Sequence, residues 1–311
     1  MDFLLNLLGT LPGAAAQGLI WGLMAIGVYI TFKILNVADM TVDGSICTGA
    51  AVCTVLITLG VNVWVAMICA FLAGALAGLI TGCLHNVLGI PVILAGILTQ
   101  LILWSVNLII LGGSIVALTR LKYADKVLIS SDSSAMGTSV YITLGILLAV
   151  CAVVIGILYW FFGTEFGMSL RTTGNNPEMS RAQGVNTSLV QVFGLALSNG
   201  IVAFAGSLLA QQQGSASINM GRGAIVIGLA AIIVGEALYP KKTMNFSVRL
   251  MFVVFGSIIY WFVYQIVVFL GLPSEYLKML SALVVAVFLG FPYVKKRYFS
   301  KKKKGAVSKN A

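Results

Sequence analysis

Charge is what this chain most lacks. Asp, Glu, Lys and Arg make up 9% of its 311 residues, against about 25% in an ordinary soluble domain, so it cannot clothe a water-soluble surface. No polar stretch is long enough to form a separate soluble domain. Histidine occurs once, as His85, and the five cysteines, Cys47, Cys53, Cys69, Cys83 and Cys151, include no Cys-x-x-Cys pair. That argues against a zinc site and leaves thiols in or beside apolar runs, as small buried hydrophobes. A G-x-x-x-x-G-K-[ST] loop is missing, so the chain does not bind and hydrolyse ATP by that route. No Ser-His-Asp or metal constellation suits an intramembrane enzyme. The first residues carry Asp2 and no positive charge, which argues against a cleavable signal peptide and leaves the first apolar run as its own insertion signal.

What is present is overwhelmingly apolar: 59% hydrophobic residues and a mean hydropathy of +1.03. Runs near the ~20 residues that cross a bilayer occur at Ala14–Leu35, Ser45–Leu59, Val63–Leu84, Val92–Leu111, Val140–Phe162, Leu189–Ala210, Ala224–Leu238, Phe246–Leu270 and Leu277–Tyr293. The pattern predicts an all-α polytopic membrane protein with about nine transmembrane or re-entrant helices. The second and seventh runs are short and read as broken or re-entrant, which is tolerated only where protein or a water-filled cavity covers the backbone. Gly74, Gly78 and Gly82 recur every fourth residue on one face of the third run, a spacing that lets another helix backbone approach closely. Gly200, Ala203, Gly206 and Ser207 suggest the same for the sixth.

The net charge of +10 is concentrated. Lys295, Lys296, Arg297, Lys301 to Lys304 and Lys309 form a basic tail, residues 295–311, after a membrane domain of residues 1–294. Such a tail reads as cytoplasmic and in contact with anionic lipid headgroups. Too few aromatics interleave for a nucleic-acid surface. Alternation then puts the N-terminus outside, Lys33 and Lys241-Lys242 inside, and Ser114–Ser139, Gln211–Arg222 and Leu272–Glu275 outside. Gln211, Gln212, Gln213 and Arg222 are candidates for touching an external protein.

Several polar residues stand out against this background. Asp39 and Asp43 sit four apart between two apolar runs, where an ionised carboxylate must face water, a partner or the membrane boundary. Either they line a translocation path or they cap the second span. Capping suits Asp43, which precedes Gly44-Ser45, and path lining suits Asn36 and Asp39. Gln100 and Asn107, seven apart, share one helical face, where they line a cavity or hydrogen-bond between helices. Glu236 closes an uncharged run and is placed either to pair with Lys241 or Lys242 or to act at a gate.

The polar linker at residues 165–188 carries the densest local signals. Asn176 can cap free amides, Pro177 suits the first helical position and Glu178 lies against the positive end of the helix dipole. Gly184 reads as the stop, through the left-handed conformation that closes helices, and Asn186, Thr187 or Ser188 can cap the next span. The prediction is a helix of about two turns, bearing Arg181 and preceded by Arg171.

Arg171-Thr-Thr-Gly174-Asn175-Asn176-Pro177-Glu178 followed by Arg181-Ala182-Gln183-Gly184-Val185-Asn186 resembles the coupling segment of ABC-importer permeases of the branched-chain-amino-acid and ribose type. The family's usual form is A-x-G-x-N-P-x-A-A-x-x-x-G-I-N. Thr172, the Met179-Ser180 pair and Val185 depart from it without altering the helix start or stop. Gly18–Gly27, Ala38–Ser45, Ile90–Gly113 and Ala230–Leu238 resemble further segments of the family, in the same order along nearly the whole chain. The Ala38–Ser45 turn and the run ending at Leu238 look closest to the subgroup linked with tryptophan or other aromatic amino acids.

The resemblance implies a membrane-spanning importer subunit moving a small polar solute, such as an amino acid, by alternating access. It implies a second permease, either another copy in a homodimer or a related chain, two cytoplasmic ATPase subunits that bind ATP and magnesium, and an external lipid-anchored binding protein, with no cofactor on this chain. Arg171, Gly174, Asn175, Asn176, Pro177, Glu178, Arg181, Ala182, Gly184 and Val185 would contact the ATPase. Asn36, Asp39, Asp43, Ser45, Gln100, Asn107 and Glu236 are the candidates for the translocation path. The alternative is a secondary transporter or channel that works alone, which calls for paired intramembrane charges and inverted halves. Acids are sparse in the spans, and no such repeat is visible.

Overall fold

A computed structural model describes residues 2–118, 138–238 and 245–269, together with Leu128 and isolated positions after 278. Most of the expected outer segment, Lys241-Lys242, the ninth apolar run and the basic tail lie outside the described residues. The elements are α1 (Asp2–Tyr29) continuing into a π-helical turn (Ile30–Ile34), α2 (Val42–Thr58), α3 (Val63–Asn86), α4 (Val92–Leu111), β1 (Ile115–Ala117), α5 (Thr138–Phe161), α6 (Glu165–Asn175), α7 (Pro177–Ala182), α8 (Thr187–Gln213), β2 (Ser215–Ser217), α9 (Ala224–Leu238) and α10 (Phe246–Phe269). Six of the described helices, α1, α3, α4, α5, α8 and α10, are long and apolar enough to cross a membrane, and α2 and α9 are shorter. The chain is therefore an all-α polytopic membrane protein. The expected nine full or re-entrant segments reduce, among the described residues, to these six and two partial ones.

Burial separates centre from rim. The spans of α1 and α8 are 83% and 78% buried, whereas those of α3, α4, α5 and α10 are between 22% and 33% buried. A helix apolar all round can be central or lipid-facing, so composition could not make this division. Small residues make it. A Cβ on Gly74, Gly78 or Gly82 of α3 would run into the backbone of α8 at Asn199, Leu195-Ala196 and Val192. The same helix α8 also receives α2, with Gly49 against Ala203 and Gly206 against Ile46. Close backbone approach maximises dispersion contacts where no hydrophobic drive separates helix from lipid. Gly78→Leu is accordingly expected to force α3 from α8, and loss of a monodisperse peak in detergent size exclusion would register it.

The two short helices share one design. After the π-helical turn, Asn36 takes a left-handed backbone with φ 57°, and residues 36–41 run without helix to α2. Likewise β2, paired antiparallel with β1 through Ile115 and Ser217, leads through a non-helical stretch to α9. Asn199, near the midpoint of α8, bonds to the residues just before and within the first turn of α2. Both short helices thus begin at the middle depth of the bundle, with their N-termini together.

Candidate functional site

Two polar regions could carry function, the α6–α7 segment at one end of the bundle and the junction of the two broken spans within it. At the first, Asn176 accepts from Met179 N at 3.0 Å, Pro177 opens α7 and Gly184 closes it at φ 85°. Asn186 then caps α8 through Leu189 N at 3.2 Å. These caps are as the sequence predicts, because each depends on neighbours only a few residues away. Arg181 donates to Thr187 Oγ1 at 2.7 Å, tying α7 to the start of α8. Only Ser180 of α7 is buried; Pro177, Glu178, Met179, Arg181 and Ala182 are exposed, so nearly the whole circumference of the helix is open.

The helix α6 was not anticipated. Thr164 accepts from Gly167 N at 3.3 Å as its N-cap, with Glu165 in the first turn, signals that were legible but masked by the glycine and threonine content. Gly174 near its end lies directly on the Ile34 carbonyl, so α6 rests on the end of α1. Gly194 of α8 packs on Leu170 and Leu35. The exposed α7 is therefore rooted, through α6, in the central helices.

At the broken-span junction, Asp39 Oδ1 accepts from Thr41 N at 2.9 Å and Oδ2 from Asn199 Nδ2 at 2.6 Å. Ser45 Oγ donates to Asn199 Oδ1 at 2.6 Å. Thr41 shares a 2.7 Å bond with Thr81, which donates to Thr99 at 2.9 Å, so α2, α3 and α4 are stitched together. Asp43 departs from the expected local cap. It lies inside the first turn of α2, and its carboxylate accepts from Gly223 N and Ile225 N at 2.9 and 3.0 Å, capping α9 instead. Each acid thus uses both oxygens to satisfy backbone or amide donors, which is how a carboxylate survives at membrane depth. Asn199, Thr81 and Thr99 escaped the sequence reading, since hydroxyl and amide groups in apolar runs give no periodic signal.

The remaining candidates scatter. Asp39, Ser45 and Asn107 are buried, Asp43 and Gln100 are half-buried, and Asn36 is exposed beside a cavity at the α6 end. Asn107 Oδ1 is buried with no hydrogen-bond partner among the described residues. Glu236 pairs with Lys33 at 2.8 Å, while Lys241 and Lys242, the partners expected from the sequence, lie outside the described residues. Since both side chains are more than a third exposed, the pair contributes at most about 1 kcal/mol. Lys33→Gln should shift the detergent melting curve little. Gln211 is buried against Cys53 and Leu128, and of the four candidates in that loop Gln213 and Arg222 are exposed. Cys83 is exposed, unlike Cys47, Cys53 and Cys151.

A family described as branched-chain amino acid transport system, permease component, matches residues 11–289. The chain belongs to that permease family. A tyrosine transport system permease protein of Clostridioides difficile (strain R20291) is 37% identical to it over 273 residues, 88% of each chain. The autoinducer 2 import system permease protein LsrC of Yersinia pseudotuberculosis is 27% identical over 285 residues, 91% of this permease and 76% of that one. Among solved structures, PsaBC from Streptococcus pneumoniae in complex with Fab is similar at a TM-score of 0.50 and 17% identity, covering 97% of this permease and 96% of that chain. At that identity the likeness concerns the fold alone.

Proposed function

We propose that this permease is the membrane subunit of an ATP-driven importer for an amino acid, with an aromatic amino acid as the first candidate. The observation that carries it is α7, a helix capped at both ends, exposed on almost every side and rooted through Gly174 on the end of α1. A lever of this kind can pass the closure of a separate ATPase pair into the central helices. The tyrosine transport relative supports the substrate class. In this reading two copies of the permease flank the path, two ATPase subunits bind at the α7 end, and a lipid-anchored binding protein delivers substrate at the β1–β2 end. The N-terminus lies outside and the C-terminus in the cytoplasm. Asn36, Gln100 and Asn107 line the path, while Asp39, Asp43 and Ser45 hold the junction behind it. Arg171, Asn175, Asn176, Glu178, Arg181, Ala182 and Val185 form or support the ATPase contact.

The test is uptake of labelled tyrosine and tryptophan into vesicles holding the permease, with and without its ATPase and binding protein. Uptake that needs neither would replace the importer by a stand-alone transporter. Within the complex, Ala182→Trp adds bulk to the exposed α7 face without touching a span, and should abolish ATPase co-purification while leaving membrane insertion intact. Gly184→Val, which forces a β-branched residue into the left-handed region, should weaken the same contact. Full assembly and uptake in both variants would reduce this segment to an ordinary loop.

A further inference from the structure

A cavity of about 640 Å³ opens beside α6, lined among others by Tyr29, Lys33, Asn36, Arg171, Asn175 and Arg249. Its size falls in the range of about 300–1,000 Å³ typical of small-ligand sites. Three cations from three separate elements converge there: Lys33 from the π-helical turn, Arg171 from α6 and Arg249 from α10. Among the described residues the wall itself contributes no carboxylate, and the nearby Glu236 is engaged by Lys33.

Arg171 is held in place before any ligand arrives. Its guanidinium carbon lies 4.3 Å from the Phe246 ring centre and 5.3 Å from that of Phe162, a stacking that engages the guanidinium face and leaves its N–H edge without hydrogen bonds to the described residues. Partial burial lowers the Arg171 pKa from its ordinary value, and Arg249 lowers it further against the opposing influence of Tyr29. Two guanidinium groups close enough to oppose each other's charge, on a wall whose third cation, Lys33, already pairs with Glu236, make a site that an anion relieves.

We propose that this cavity binds a phosphate group, carried by the headgroup of an anionic phospholipid or by a small soluble phosphate. Guanidinium forks match phosphate oxygens in geometry and charge, and basic pockets between membrane helices at the cytoplasmic side are suited to anionic headgroups. The bound phosphate bridges α6 to α10 and to the end of α1, so it braces the segment that carries α7. The cytoplasmic placement rests on the orientation proposed above; the binding itself does not.

The experiment uses the purified full-length permease alone, so that its outcome is independent of ATPase coupling. Delipidated protein is offered phosphatidylglycerol and phosphatidylcholine of identical chains, and retained lipid is counted by native mass spectrometry. In parallel, inorganic phosphate is titrated in a thermal-shift assay in phosphatidylcholine discs. Wild type is expected to retain phosphatidylglycerol over phosphatidylcholine by about fivefold or more for each cation engaged. Arg171→Gln/Arg249→Gln should bring the ratio to parity, whereas Arg249→Lys and a variant with Lys301 to Lys304 all changed to Gln should keep it. Should the double variant fail to give a folded peak, Arg249→Gln alone provides the comparison. Parity in wild type together with stabilisation by inorganic phosphate, lost in the Gln variant, assigns the site to a soluble phosphate. Neither response in wild type overturns the proposal, as does a lipid preference that survives the Gln variant and disappears with the tail lysines.

Discussion

Asp39→Ala is expected to cost the folded permease about 2–6 kcal/mol, because it strands the Thr41 N–H and one Asn199 amide donor in the interior at about 1–3 kcal/mol each. The site is closed, since Asp39 is only 2% exposed. Asn199 also anchors Ser45 at 2.6 Å, so the loss spreads to the start of α2. Asp39→Asn keeps an acceptor for Thr41 but sets an amide donor against the Asn199 donor, and should fall between wild type and alanine. Asp43 also satisfies two amides, but it is half-buried, and water can replace part of what is lost. Asp43→Asn should therefore be milder than Asp39→Asn in both melting temperature and substrate uptake. Thermal unfolding of the purified protein in detergent, with uptake in reconstituted vesicles, measures the order. Equal stability of wild type and Asp39→Ala would mean that the junction does not hold the broken spans together.

The second large effect belongs to Gly174→Val. The three nearest atoms to an added Cβ are all backbone, at Ile34 and Leu35, and a backbone cannot rotate aside as a side chain can. The end of α6 must lift from α1, or the π-helical turn must shift. Either change leaves the exposed face of α7 intact while cutting its mechanical link to the central helices. In the reconstituted importer we expect ATP hydrolysis to persist and uptake to fall by about 5–150-fold, the span of ordinary allosteric coupling energies. Gly174→Ala should lie between. Unchanged uptake in Gly174→Val would show that α7 signals by another route. The contrast with Ala182→Trp is informative, since that variant should lose the ATPase itself rather than the transmission of its movement.

Hydropathy, the caps of α7 and the glycine spacing of α3 were open to a reader of the sequence, and so was the resemblance that led to the family. Each is a short-range property: a cap needs three residues, a span needs one unbroken apolar run, and a packing face needs one helical repeat. The division into central and peripheral helices was not readable, because lipid and protein interior select the same apolar side chains. Nor was the choice of partner for each charge. Asp39 meets Asn199 across 160 residues, Asp43 caps α9 across 180, and Lys33 finds Glu236 across 203. Sequence alone showed that these acids needed partners in a medium of low dielectric. The tertiary structure decided which ones, because only packing brings the N-termini of two broken spans to the same depth beside the midpoint of α8.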